Sequence, residues 1–457
     1  MRYILIGAAA LIVLTLQTAA GRGGPSDVIA ESTVRAHMEF LASDAMNGRG
    51  SGSRDEWITA TYIAAQMRRD GLEPLGDAGD FVQTVDIART EVVGDPVFSI
   101  GNVSLRREQL FPMKMNSVDA QGLLQKYAPG VPIRSGAVVL MPEEMAPDAK
   151  VNLQEAQLVL WHDTSALRAH WPDLSRRPIW IGPARLAAIA SQPKLSTGPS
   201  QIMLNPDAYA ALAALPDGSK VHFTAHTQET SFHTWNAIAR LNGTDSREKS
   251  DIVLLTAHLD HLGARDTGVH RIYNGADDDA SGSIAVLTLA EALSRGPKLK
   301  RTLVFAWFGS EEAGGYGASY FVQKPVVPLD KIVANLEFEM IGRPDAAIAP
   351  HTLWLTGWER TNLGPQLAAH GARLVADPRP AEKFFMRSDN ITLARRGVVA
   401  QTVSSFGLHA DYHQVTDVIE HIDFAHMTES IQSLLAPIRW LANSDFKPDW
   451  LPGGRPD

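Results

Sequence analysis

The spacing of apolar positions changes along the chain, and each change marks a different kind of element. Over residues 31–70, Val34, Met38 and Leu41 recur at helical spacing, and Trp57 to Met67 forms a second amphipathic stretch that stops at Gly71. A glycine-rich loop, Asn47 to Gly52, separates the two. It lacks a following Gly-Lys-Ser/Thr and a preceding strand, so it is not a phosphate loop. From about Phe98 to Gln228 the pattern breaks into short apolar runs such as Ala137–Leu140, Leu158–Trp161 and Pro178–Ile181, divided by Pro- and Gly-containing turns. That texture predicts a mainly β module with a few short helices.

From Trp235 onward, strands alternate with helices. Asp251–Ala257, Arg301–Phe308, Ile332–Phe338 and Val398–Val403 read as buried strands, and Ala280–Ser294 reads as a helix. The fold class that follows is α/β: a mostly parallel mixed sheet flanked by helices, with a smaller β-rich domain inserted. In such sheets ligands bind at the carboxyl ends of the strands.

The first twenty residues follow another rule. Arg2 precedes an apolar run from Tyr3 to Leu16, and Gln17-Thr18-Ala19-Ala20 follows. A positive residue, a short apolar segment and small residues predict a secretory signal peptide cleaved near Ala20. The run is shorter than the ~20 residues that a spanning helix needs. The expected organisation is a signal peptide over 1–20, an N-terminal part of the catalytic domain over 21–97, a β-rich insert over 98–228, and the main catalytic part over 229–457. The expected location is periplasmic or secreted, with no stable membrane insertion after cleavage.

Composition narrows the chemistry. The 457 residues are 45% hydrophobic and 20% charged, and the net charge of −9 is spread along the chain. No basic block suggests a nucleic-acid partner. There is no cysteine. Thiolate ligands, a cysteine nucleophile and a disulfide framework are therefore excluded, and a metal would be held by His, Asp and Glu, a donor set that suits zinc or a similar divalent ion.

Those residue types gather in five places. Thr256-Ala257-His258-Leu259-Asp260-His261 ends the first buried strand, and Asn274-Gly275-Ala276-Asp277-Asp278-Asp279-Ala280-Ser281-Gly282 precedes the helix. Three adjacent carboxylates exceed what a helix cap requires, and their repulsion calls for a cation. Ser310-Glu311-Glu312 directly follows the strand Leu303–Phe308. Two carboxylates at a strand end point different ways, so one can ligate a metal while its neighbour takes a proton from water. Glu337-Phe338-Glu339-Met340-Ile341-Gly342-Arg343 and Asp411-Tyr412-His413-Gln414-Val415-Thr416-Asp417 complete the set.

In this order the clusters resemble the co-catalytic di-zinc aminopeptidases, whose relatives include glutamate carboxypeptidase and glutaminyl cyclase. Leu41-Ala42-Ser43-Asp44 and Arg387-Ser388-Asp389-Asn390 fit the same pattern. The resemblance implies two Zn(2+) ions per chain, held by His258, Asp278, Glu312, Glu339 and His413. His258 and Glu339 would bind one, Glu312 and His413 the other, and Asp278 would bridge, with Asp277 and Asp279 as neighbours. It further implies Glu311 as general base, Asp260 as the hydrogen-bond partner fixing the His258 tautomer, and Tyr412 as a donor to the developing oxyanion. A cis peptide is expected at Asp278–Asp279. Glu339 stands where these enzymes commonly have Asp, and Glu337 is the fallback ligand. The segment 98–228 occupies the place of a protease-associated insert.

The implied activity is hydrolysis of N-terminal peptide bonds, with peptides as the binding partners. A carboxypeptidase or dipeptidase on the same scaffold would instead use Arg343 or Arg387 to hold a terminal carboxylate; a glutaminyl cyclase and an inactive binding protein are the remaining alternatives. His261, His409, His421 and His426 read as surface or packing residues, with His409 and Asp411 as candidates for the pocket wall.

Overall fold

The computed structural model describes residues 28–106, 109–114, 118–143, 152–164, 185–188, 199–264 and 270–456. The expected signal peptide and the run Pro178–Ile181 lie outside them. The first helices are α1 (Glu31–Leu41) and α2 (Arg54–Arg69). Ser53 caps α2 by accepting from the amides of Asp55 and Glu56. Between the helices the glycine-rich stretch forms a short 3-10 turn, Asp44–Arg49.

Two long antiparallel strands, β1 (Val82–Ile100) and β2 (Lys220–Leu241), pair along their length from Val82–Ala237 to Ile100–Val221. The rest of the principal sheet consists of β3 (Ile252–His258), β4 (Thr302–Phe308), β5 (Ile332–Phe338), β6 (Leu353–Leu355), β7 (Leu374–Ala376) and β8 (Ala400–Ser404). Their spatial order is β7-β6-β8-β5-β3-β4-β2. β4, β3, β5 and β8 are mutually parallel, while β2 joins β4 and β6 joins β8 antiparallel.

Every residue of β3 and β4 is buried, because helices cover both faces. Val253, Leu255, Leu303, Phe305 and Trp307 pack into one core with α1, α2, α3 (Gly282–Arg295) and α5 (Phe424–Asn443). Leu254, Val304, Ala306 and Phe308 pack into another, with Ala318 and Phe321 of α4 (Tyr316–Gln323). Trp307 is fully buried yet satisfied, since its Nε1 donates to the Ser283 carbonyl at 3.0 Å.

A third core lies apart from these. Phe98, Leu124, Leu140, Leu160, Ile202 and Phe223 form it, on strands that include Val118–Lys126, Val138–Leu140, Leu158–His162 and Ser200–Leu204, together with Leu212 of the helix Pro206–Ala213. The expected insert limits at 98 and 228 fall inside β1 and β2, both of which run on without a break. No helix among the described residues is long and apolar enough to cross a membrane.

Candidate metal centre

Four of the site residues sit where a strand ends. His258 is the last residue of β3, Glu311 and Glu312 lie just beyond β4, and Glu339 directly follows β5. Ser310, Met340 and His413 have φ of 55°, 51° and 55°, in the left-handed region. The chain therefore turns sharply beside Glu311, beside Glu339 and at His413 itself, a cost that functional sites commonly carry.

The three consecutive aspartates separate by what they touch. Asp279 accepts from the amides of Gly282 and Met340 at 3.0 and 3.1 Å, so it fastens α3 to the end of β5. Gly282 is needed at this approach, since a Cβ there would collide with the Phe338 carbonyl and the Asp279 carboxylate. Asp277 accepts from the Gly342 amide at 2.7 Å and pairs with His409 Nε2 at 3.0 Å. Asp278 faces the imidazoles instead. Its Oδ1 is 3.3 Å from His258 Nε2 and its Oδ2 is 3.1 Å from His413 Nε2. The Asp417 carboxylate accepts from the amides of both Asp277 and Asp278 at 3.0 Å, and the Asp278–Asp279 peptide is cis.

Two donor sets result. His258, Asp278 and Glu339 bring one ligand atom each within 4.8 Å of one another. On the other side, Asp278 Oδ2, His413 Nε2 and Glu312 Oε2 converge, the last two at 3.2 Å. Buried His258 Nε2 has no well-directed hydrogen bond among the described residues. A buried nitrogen without a well-directed hydrogen bond, facing carboxylates, fits a divalent cation.

The protonation pattern agrees with that demand for positive charge. Burial opposes a charge on His258, but Asp279, Asp260 and Asp278 outweigh it and raise the imidazole well above its ordinary range. At His413 burial is likewise overcome, by Glu312 and Asp278, and the pKa rises to about 11. Burial alone would raise Glu312, yet His413 and His261 bring it down to about 2. Without a metal, protonated imidazoles neutralise the carboxylates, and ligands must shed those protons to bind one.

The structure reassigns several residues. Asp260 is expected to fix His258 through its carboxylate, but that oxygen is 3.6 Å from Nδ1, while the Asp260 main-chain carbonyl is nearer at 3.2 Å. The Asp260 carboxylate accepts from the Glu311 and Glu312 amides at 2.9 and 3.3 Å and from Ser51 Oγ at 2.5 Å. Glu337, the fallback ligand, belongs to neither donor set and accepts from the Asn390 amide and Thr402. Arg343 is engaged by Asp411 at 2.6 Å.

His261 is neither a surface residue nor simple filling. It is fully buried, and its Nδ1 lies 2.8 Å from Glu312 Oε1. Its place three residues after His258 was the one sequence signal for this. Glu56 was also missed. Buried on α2, it accepts from the Gly52 and Ser310 amides and from Thr234 Oγ1 at 2.7–2.8 Å, bracing the turn that carries Glu311. No local pattern links residues so far apart in sequence.

Beside Glu339 opens a cleft whose aromatic wall is Trp354, Phe384, Phe406 and Tyr412, with Arg387 also lining it. The Trp354 and Phe384 rings stack at 5.2 Å, and Tyr412 stacks on His413 at 3.9 Å.

Residues 236–437 match the family model described as peptidase family M28. A leucine aminopeptidase 2 from Trichophyton equinum is 35% identical over 139 residues, covering 30% of this chain and 26% of the relative. The chain thus spans about a quarter of the length of the curated relatives it matches. Among solved structures, an aminopeptidase from Aneurinibacillus sp. strain AM-1 superposes with a TM-score of 0.61 at 16% identity, covering 91% of this chain and 94% of the other. BSAP, a zinc aminopeptidase from Bacillus subtilis, gives 0.55 at 16% identity, covering 92% and 97%. At these identities the likeness is one of fold.

Proposed function

We propose, from the match of residues 236–437 to the model of peptidase family M28, that this chain is a zinc-dependent aminopeptidase that removes N-terminal residues from peptides. The observation that carries the reading is the division of Asp278, one carboxylate oxygen toward His258 and the other toward His413. His258, Asp278 and Glu339 would hold one zinc, and Asp278, Glu312 and His413 the second. When bound, two such ions polarise the scissile carbonyl and make water acidic enough to attack near neutral pH.

The chain's own residues do the rest. Glu311, tied to Asp260 through its amide, accepts the proton of the attacking water. As the carbon–nitrogen bond breaks, Glu311 passes that proton to the leaving amine. Tyr412, oriented by its stack on His413, donates to the carbonyl oxygen as negative charge builds there. The aromatic cleft receives the side chain of the residue being released, which favours large apolar groups. Arg343 is paired with Asp411, which leaves it poorly placed to hold a peptide's terminal carboxylate and supports the aminopeptidase direction.

The segment 98–228, with its own core, serves as a protease-associated-type wall over the substrate. Residues 1–20 direct export to the periplasm or beyond, which N-terminal sequencing of the mature protein tests. The decisive experiment compares free, N-blocked and C-amidated peptides before and after chelation, with metal analysis. Cleavage of free and amidated peptides alone, lost on chelation and restored by zinc, is the expected result. Cleavage of N-blocked peptides that requires a free carboxyl terminus refutes it in favour of a carboxypeptidase.

A further inference from the structure

We propose that His261 is a positioning residue for the second cation site: it holds one oxygen of Glu312 so that the other alone faces Asp278 and His413. The inference rests on the two-metal reading above and adds a residue that reading does not use.

The two oxygens of Glu312 are separately engaged. Oε2 is 3.2 Å from His413 Nε2, on the side of Asp278 Oδ2. Oε1 is 2.8 Å from His261 Nδ1, close enough for an N–H to donate. The same Nδ1 is 3.9 Å from Asp278 Oδ2, beyond hydrogen-bond reach. His261 therefore acts on Glu312 rather than on the bridging carboxylate. A glutamate so held would offer a cation its other oxygen and loses the freedom to rotate about its last bond. Hydrogen bonds of this kind to ligating groups typically contribute a factor of 10–100 in metal affinity.

The imidazole is itself fixed from three directions. The main-chain amide of His261 donates to the Arg49 carbonyl at 3.0 Å, which pins the residue to the glycine-rich turn. One face of the ring lies so close to Gly275 that a Cβ there would sit 2.6 Å from ring carbons. The ring also meets that of His413 edge-on, with centroids 5.8 Å apart and planes at 70°. Gly275 has φ of 59°, so glycine meets both the backbone and the space requirement there. A histidine packed this way presents Nδ1 to Glu312 before any ion arrives.

The test is metal binding, read by calorimetry on chelator-treated protein titrated with zinc and by the visible absorption of the cobalt-loaded form. Wild type should take up two ions. In His261→Phe the ring volume stays but the donor is lost, so the second ion should bind about 10–100-fold more weakly. Its cobalt band should shift while that of the first ion does not. In His261→Asn, whose amide nitrogen falls near the position of Nδ1, affinity should stay within about threefold of wild type. Equal affinities in wild type and His261→Phe overturn the proposal and leave the two-metal reading standing. Equal loss in the Asn and Phe variants also overturns it, since the ring rather than the donated hydrogen would then matter. A wild-type chain that binds no second ion overturns both.

Discussion

The Asp260 carboxylate accepts the main-chain amide of Glu311 at 2.9 Å, so the residue two positions beyond the first ligand sets the path of the proposed base. It joins the end of β3 to the end of β4, and Ser51 Oγ completes the junction from the glycine-rich turn. Replacing Asp260 with Ala leaves the Glu311 and Glu312 amides without their acceptor. A fall in kcat of about 10–100-fold with a smaller change in KM is expected. Steady-state kinetics on a peptide p-nitroanilide measure it, and an unchanged kcat would remove Asp260 from the base's support.

Glu311→Gln keeps the shape of the side chain and removes its ability to take a proton. Turnover should fall by about 10²–10⁴-fold while zinc content stays at the wild-type value. Activity within tenfold of wild type, with metal retained, rules Glu311 out as the base.

Phe406 contacts both Phe384 and Tyr412 in the cleft wall, with ring centroids at 5.9 and 5.1 Å. Truncation to Ala removes apolar surface facing the released side chain. For substrates beginning with leucine or phenylalanine kcat/KM should drop about 10–200-fold, and for alanine much less. A uniform loss across all three places the side chain elsewhere.

Gly282→Ala introduces a methyl group against the Phe338 carbonyl and the Asp279 carboxylate at the junction of α3 and β5. Because one of the obstructing atoms belongs to the backbone, the strand has to move. A loss of stability of about 1–3 kcal/mol is expected by chemical denaturation. An unaltered unfolding midpoint would show that the junction tolerates a side chain.

Outside the site, His37 on α1 is buried beside Tyr62, with Nδ1 2.7 Å from the phenol oxygen. Burial, helped by Arg69, lowers its pKa from 6.5 to about 4. The folded state thus binds this proton less readily than the unfolded chain does. The associated stability is complete above about pH 6.5, declines as pH falls toward 4, and amounts to roughly 3 kcal/mol. In His37→Gln that part of the pH dependence should vanish. Denaturation at pH 7.5 and 4.5 in both proteins tests it, and identical slopes would refute it.

The parallel core was legible because β3, β4 and β5 are covered on both faces and are therefore mostly apolar. His258, Asp278, Glu311, Glu312 and Glu339 follow from the resemblance to the di-zinc aminopeptidases, which is carried by clusters at strand ends and at a helix entry. The tertiary partners were not legible. Glu56 reaches Ser310 and Thr234 across more than 170 positions, and nothing in its own helix distinguishes it from a surface glutamate. The resemblance pairs Asp260 with His258, and the carboxylate lies 3.6 Å from Nδ1, but its bond to the Glu311 amide beyond another strand has no signal in the sequence. The length of β1 and β2 was hidden as well, since alternation is weak where the strands leave the main core.

Those two strands have a consequence for how the molecule is put together. Ile87 pairs with Phe232 and Asp86 with His233, so the chain leaves the principal sheet and returns to it at adjacent points. Topologically, everything between them is the tip of a hairpin. Closing such a tip with a short turn in place of the whole excursion brings together ends that already touch, and the entropy of closure grows only slowly with the length enclosed. The excursion is in that sense a detachable cartridge: a graft at this rung can exchange one segment for another while the strand pairing that anchors the principal sheet stays as it is.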